Sequence, residues 1–197
     1  MTKKQPTREK LLDITFEEVY IHGYTATSVD TILKRAGIPK GSMYHHFKGK
    51  KELVLAIVEE RLFPKMALFF DFEPTEGQSV TETIRGTFAA MAKNKPLITY
   101  GCPLYRLMVE LSGVDETFDS LLSTRVRQME ENLAFLLQKG IESGEFNKIL
   151  DTKAFASYIL ESTWGVLSLS PALSSSKHFL QHSKFILETL SNYYRTN

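Results

Sequence analysis

The sequence predicts an all-α fold: a three-helix head over residues 1–52, then a larger helical bundle over residues 53–197. Three observations carry this. Nearly every long segment repeats its apolar residues at helical period, and none alternates convincingly at period two. Glycines and prolines fall where those periodic segments end. Charge is also divided along the chain, with ten Lys/Arg against five Asp/Glu in residues 1–51 and fourteen against eighteen in the rest.

Leu12, Phe16, Val19 and Tyr20 share one face of a first helix that Gly23 stops. Thr27 opens a second, with Asp30 three residues on in the capping-box position. Val29, Ile32 and Leu33 are its buried side and Gly37 its end. Only "GIP" separates it from a third helix of two turns, about residues 40–46, whose start Pro39 suits. A fourth begins near Gly49 and runs to about Phe70, with a kink expected at Pro64. "DFEPTEGQS" reads as a linker. Further helices are expected near 79–95, 103–112, 115–143, 151–170 and 176–195. Phe118, Leu122, Val126, Met129, Leu133 and Leu137 form a stripe along the third of these. The last two carry apolar residues on more than one face, among them Phe155, Trp164 and Leu167, then Phe179, Leu180, Phe185, Ile186 and Leu190. A helix pair too apolar for one buried side predicts a partner subunit.

Composition narrows the function. The single cysteine, Cys102, excludes an internal disulfide framework and fits a reducing compartment. No apolar run approaches the roughly 18 residues of a membrane span, and "MTKKQPTREK" is not followed by the apolar stretch of a signal peptide. A cytoplasmic chain with no membrane partner is expected. There is no nucleophile–base pair and no Gly-rich phosphate loop, so no enzyme and no cofactor is expected. The adjacent His45 and His46 have no Cys or carboxylate at ligand spacing, and His178 and His182 stand four apart without a third ligand; no metal site is expected. A basic head on an acidic body points to a polyanion at one end.

Two helices joined by a three-residue turn containing glycine are the helix-turn-helix signature. Its second helix must be slim enough for a major groove about 12 Å wide. Gly41 and Ser42 supply a small face, Tyr44 and His45 project rings toward phosphates or base edges, and Lys40 and Lys50 flank the helix. Phe47 belongs instead to a small core with Phe16, Ile32 and Leu53.

"YTATSVDTILKRAGIPKGSMYHHFKGKKEL" resembles the DNA-binding domain of the TetR family of bacterial transcriptional regulators, and the resemblance extends over residues 7 to about 55. It implies a homodimer with a DNA-reading head and a divergent helical body that binds an effector and dimerises through the last two helices. By that resemblance Thr27 or Ser28 anchors a phosphate, Lys40, Gly41, Ser42, Tyr44 and His45 lie on the recognition helix, and Lys50 contacts phosphate. Pro39 stands where the family often has a capping Ser or Thr, and Gly49 where it often has a capping Ser. The expected function is a ligand-released repressor on a palindromic operator in double-stranded DNA.

An effector pocket is expected to be mostly apolar. Met66, Phe70, Phe88, Met91, Cys102, Tyr105, Met108 and Trp164 are candidate lining residues for an apolar or aromatic ligand, although aromatics at this spacing also read as core. "YGCPLYRLMVELSG" is similar to a "GCPL" signature of the LmrA/YxaF-like subgroup, departing from it at Arg106. Pro103 at a first helical position puts Cys102 at the N-cap with Arg106 one turn on, an arrangement that favours a reactive thiolate and an electrophile sensor. The alternative is a small buried thiol filling a helix junction.

Overall fold

In the computed structural model, which describes residues 6–71 and 77–195, helices α1 to α12 follow in order. Among the described residues the only β pairing is an isolated antiparallel bridge between Phe146 and Tyr194. The expected linker falls largely on residues 72–76, outside the described residues. The chain divides into two compact units, Met1–Met66 with Arg106–Ser120, and Ala67–Tyr105 with Leu121–Asn197. The expected boundary at residue 52 therefore lies inside α4 (Lys50–Ile57), whose apolar side packs on α1 (Thr7–His22).

In the first unit, α1 buries Leu11, Leu12, Thr15, Glu18 and Val19. Phe16 and Tyr20, expected on that face, sit at its margin with their rings 5.7 Å apart. A carboxylate can occupy a buried face only with a partner. Glu18 has one in Arg35, at the end of α2 (Val29–Ala36), which also reaches Glu17 at 2.9 Å. Thr27 does not open α2: it is 1% exposed and its hydroxyl donates to the Gly23 carbonyl at 2.7 Å. Ser28 is the N-cap, its Oγ accepting the Thr31 N–H at 3.0 Å.

The expected kink at Pro64 is a π-helical turn, Val58–Leu62, between α4 and α5 (Phe63–Phe70). Proline has no N–H for the carbonyl four residues back, so the helix widens and the Phe63 N–H bonds to Val58 O. The Glu60 carbonyl accepts from the Arg61 guanidinium at 3.2 Å instead. Arg61 also donates to Asp13 at 2.7 Å and to Glu9, and Arg8 forks onto Glu60, so this turn is fastened to α1 by charge-assisted bonds.

In the second unit, α6 (Val80–Lys93) packs on α12 (Ser176–Ser191), and α10 (Thr152–Ser168) on α12. A capping box of Ser79 and Glu82 starts α6, and Glu145 accepts the Val80 and Thr81 N–H groups at 2.7 and 2.9 Å. The Ser79 amide and hydroxyl hold the Glu82 carboxyl below its ordinary range. Two short helices lie outside the expected set: α7 (Lys95–Tyr100), capped by Asn94, and α11 (Ser170–Leu173). The last helix, expected to reach 195, stops at Ser191 because Tyr193 and Arg195 bond to the backbone of Asn147 and Glu145 at 2.7 and 3.1 Å. The buried side of α9 (Glu116–Glu142) includes Leu122, Met129, Leu133 and Leu137.

Gly140 in α9 makes room for Phe146, a fully buried ring stacked on Tyr194. A Cβ there would lie 2.3 Å from a Phe146 ring carbon. Gly140→Ala gains about 1 kcal/mol of helix propensity but overpacks by about 1–3 kcal/mol, and the rigid ring makes the second effect win. Denaturant melts should show a net loss of about 1–2 kcal/mol. Gly86→Ala, on α6 where an added Cβ meets nothing within 4 Å, should instead gain about 0.5–1 kcal/mol.

Candidate nucleic-acid interface

The head builds its outer face on α3 (Lys40–Tyr44). α2 ends on Gly37 at φ 60°, and the Gly37 and Ile38 N–H groups return to Lys34 and Leu33 at 3.3 and 3.2 Å. This Schellman closure lets the chain turn within Gly37-Ile38-Pro39. The Pro39 carbonyl then accepts the Ser42 N–H at 3.0 Å, starting α3 without a side-chain cap.

α3 is sharply two-sided. Met43 and the following Phe47 are 0% and 4% exposed, and α3 packs on α1. Lys40, Gly41, Tyr44 and His45 are exposed, Tyr44 by 50%, and Ser42 is half-buried. A Cβ on Gly41 would meet nothing within 4 Å, so packing does not require glycine there. Ser28 is exposed at the start of α2, whereas Thr27 is interior.

The flanking lysines differ in what they face. Lys40 lies 3.7 Å from Asp30. The half-buried Lys50 stands 4.1 Å from the Tyr24 ring centroid, a cation–π contact. Burial pushes its pKa down, and the nearby Glu110 charge opposes that. Lys51 pairs with Asp115 at 2.7 Å and Thr117 at 3.1 Å, and holds the Asp115 carboxyl below its ordinary range. Tyr24 also meets the buried Phe118 edge-on, with centroids 5.6 Å apart. Sequence reasoning missed these head contacts. The "GY" after α1 was legible as a helix stop, and nothing local signalled that the tyrosine ring would seat a lysine.

The body candidates fall in both units. Met66 and Met108 belong to the first unit; Phe70, Phe88, Met91, Cys102, Tyr105 and Trp164 belong to the second. A groove of about 430 Å³ between α6 and α12 includes Phe88 with Leu180, Leu187 and Tyr194. Another of about 510 Å³, between α9 and α10, includes none of the eight. Tyr105 and Trp164 place their rings 6.0 Å apart. Cys102 directly precedes α8 (Pro103–Leu111) as expected, and at 4% exposed it favours the buried-thiol reading over the reactive one. Burial pushes its pKa up to about 11, outweighing the Tyr105 and Leu104 N–H groups and the Trp164 indole, which favour the thiolate. The Arg106 guanidinium is engaged with the Ile21 carbonyl, at 2.9 Å.

The sequence model of the bacterial regulatory proteins of the tetR family matches residues 11–57, and that of the tetracyclin repressor-like C-terminal domain matches residues 81–184. An uncharacterized HTH-type transcriptional regulator from the lacX 3′ region of Lactococcus lactis subsp. lactis is 33% identical over 138 residues, 66% of this chain and 69% of that one. The HTH-type transcriptional repressor KstR2 of Mycolicibacterium smegmatis is 27% identical over 169 residues, 83% of this chain and 80% of that one. The crystal structure of regulatory protein TetR from Rhodobacter sphaeroides superposes with a TM-score of 0.81 at 21% identity, over 92% of this chain and 97% of that one. With the helix-turn-helix in place and both family models matched, this chain belongs to the tetR family of bacterial regulatory proteins and is a DNA-binding transcriptional regulator, not an enzyme.

Proposed function

We propose that the chain is a cytoplasmic repressor that binds a palindromic operator as a twofold homodimer and releases it when an apolar or aromatic effector enters the body. The observation that carries the DNA reading is the division of α3 and the turn after it: Met43 and Phe47 are consumed inside, while Lys40, Gly41, Tyr44 and His45 are left outward. Glycine in a helix costs about 1 kcal/mol against alanine, and at Gly41 no internal packing repays it. Close approach of another surface does. Lys40, Lys50 and Ser28 then serve phosphates, which position the head, and Tyr44 and His45 serve base edges, which specify the site. No described helix is long and apolar enough to cross a membrane.

Exposed apolar residues on the last two long helices support dimerisation there: Tyr158 on α10, with Leu180 and Phe185 on α12, the last 58% exposed. Ile186 and Leu190, which the sequence also offered to a partner, are 1% and 0% exposed and belong to the protomer's own core. For the effector, the Tyr105–Trp164 ring pair beside Cys102 supports an aromatic or apolar ligand held without reaction at the thiol.

Tyr44→Ala should weaken binding to a duplex that the wild-type chain selects from a randomised pool by roughly ten- to a hundredfold, and leave random duplex within about twofold. An equal fall on both would make Tyr44 a positioning contact only. Lys50→Ala should weaken both together and make the salt dependence shallower by about one unit of slope.

Phe185→Asp should yield monomers in sedimentation with unchanged helical circular dichroism, whereas Leu190→Asp should lose the helical signal. A Phe185→Asp dimer would remove this face from the interface.

Iodoacetamide should label Cys102 slowly at pH 8 until denaturant is added, and Cys102→Ser should bind DNA as wild type does. The folded thiol sits near 11 against an ordinary 9.0, so the unfolded chain loses this proton first as pH rises. Its stabilising contribution is present below pH 9 and is lost between about 9 and 11, roughly 2–3 kcal/mol at most. Urea melts of Cys102→Ala should lack that part of the alkaline decline.

A further inference from the structure

Within the first unit, two α8 side chains that the family's head model does not include close the end of α1. The Arg106 guanidinium donates to the Ile21 carbonyl at 2.9 Å and to Tyr20 O at 3.4 Å. These are last-turn carbonyls with no intrahelical donor, and they carry the negative end of the helix dipole. One helical turn on, Glu110 lies 3.5 Å from Arg106 Nε and accepts the Thr25 N–H at 2.8 Å. The pair therefore holds both the end of α1 and the turn leaving it, a cation on the carbonyls and an anion on an amide.

Gly23 is the third part of this arrangement. Its φ of 87° is a conformation that L side chains rarely adopt. A Cβ there would lie 2.1 Å from Glu110 Oε1 and 3.1 Å from Arg106 Nε. The Gly23 carbonyl takes the buried Thr27 hydroxyl, and Ser28, next in sequence, caps α2. Arg106 and Glu110 thus hold the chain on both sides of Gly23, whose carbonyl is tied to Thr27, one residue before the cap of α2.

We propose that Arg106 and Glu110 are positioning residues for DNA recognition: they set the angle at which the helix-turn-helix leaves α1. The proposal rests on the head being the DNA-binding surface. Neither residue lies on the outward side of α3, so their loss should misplace the reading face and leave its phosphate-binding lysines present.

The test uses the full-length chain and two probes, the duplex it selects from a randomised pool and a random duplex of equal length. Arg106→Ala and Glu110→Ala should each weaken selected-duplex binding about tenfold, the scale of one charge-assisted hydrogen bond. Random-duplex binding should stay within about twofold, with unchanged circular dichroism. Gly23→Ala should weaken selected binding at least as much, and Gly23→Ala with Glu110→Ala should lose less than the two single effects combined, because the double variant lacks the carboxylate that the new Cβ strikes. Where Arg106→Ala does not fold, Glu110→Gln, which keeps an acceptor for Thr25 but not the ion pair, decides by the same two affinities. Unchanged selected binding, an equal fall on both duplexes, or strictly additive Gly23 and Glu110 effects would each overturn the proposal. Wild-type chain that selects no duplex at all would instead sink the DNA-binding reading beneath it.

Discussion

A helix of five residues cannot hold itself. Nucleating a first turn fixes several backbone dihedrals for one hydrogen bond, and isolated helices below roughly 12 residues are marginal in water. α3 therefore exists because Met43 and Phe47 are seated in the head's core, each burial contributing on the order of 1.5–3 kcal/mol. Its outward side can be free of structural duty only because its inner side is so fully committed. The same condition makes α1 the platform on which recognition depends. α1 is fastened at its start by Arg8 and Arg61, at its middle by Glu18 and Arg35, and at its end by Arg106. Exposed pairs of this kind contribute little singly, about 0–1 kcal/mol. Glu18 differs, because removing Arg35 would strand a buried carboxylate.

The head was legible because its period and its breakers agree. Gly23, Gly37 and Pro39 mark three boundaries that the structure keeps within a residue or two. The start of α2 was harder, since Thr27 and Ser28 are both good caps and Asp30, three residues after Thr27, pointed to the wrong one. The choice is tertiary: the Gly23 carbonyl draws the Thr27 hydroxyl inward and leaves the cap to Ser28. Phe16 was misplaced for a related reason. Periodicity ranks a large apolar residue above Thr15 and Glu18, but the buried face admits Glu18 because Arg35 neutralises it.

In the body, local signals were present but incompletely used. Asn94 two positions before Pro96 is a cap followed by a helix-starting proline, and it marks α7. At Pro64 the sequence could say that a hydrogen bond would be missing, but not that a π-turn with Arg61 on the orphan carbonyl would absorb the loss. Cys102 shows the limit most plainly. Its position before α8 was readable, and so were the helix dipole and Arg106, which all favour thiolate. Sequence left a buried thiol and a reactive one both open, and burial decides the sign. Arg106 meanwhile serves the carbonyls of α1.

Net charge pointed to the right end of the chain for an incomplete reason. The excess of five cations in residues 1–51 treats arginine and lysine alike, yet the fold uses them differently. Glu9, Asp13, Glu17 and Glu18 are taken by Arg8, Arg35 and Arg61, whose planar forks each reach two carboxylates. Asp30, the fifth acidic residue, meets Lys40 across 3.7 Å, an exposed pair that contributes little. The arginines thus absorb most of the head's negative charge internally, and the lysines around α3 retain the field that a polyanion meets. Lys51 is the exception, held by Asp115 from the α8–α9 turn. That contact also shows why the count could not be read by position: the acid that answers Lys51 lies sixty-four residues away in sequence, beyond the span over which the head's charge was summed.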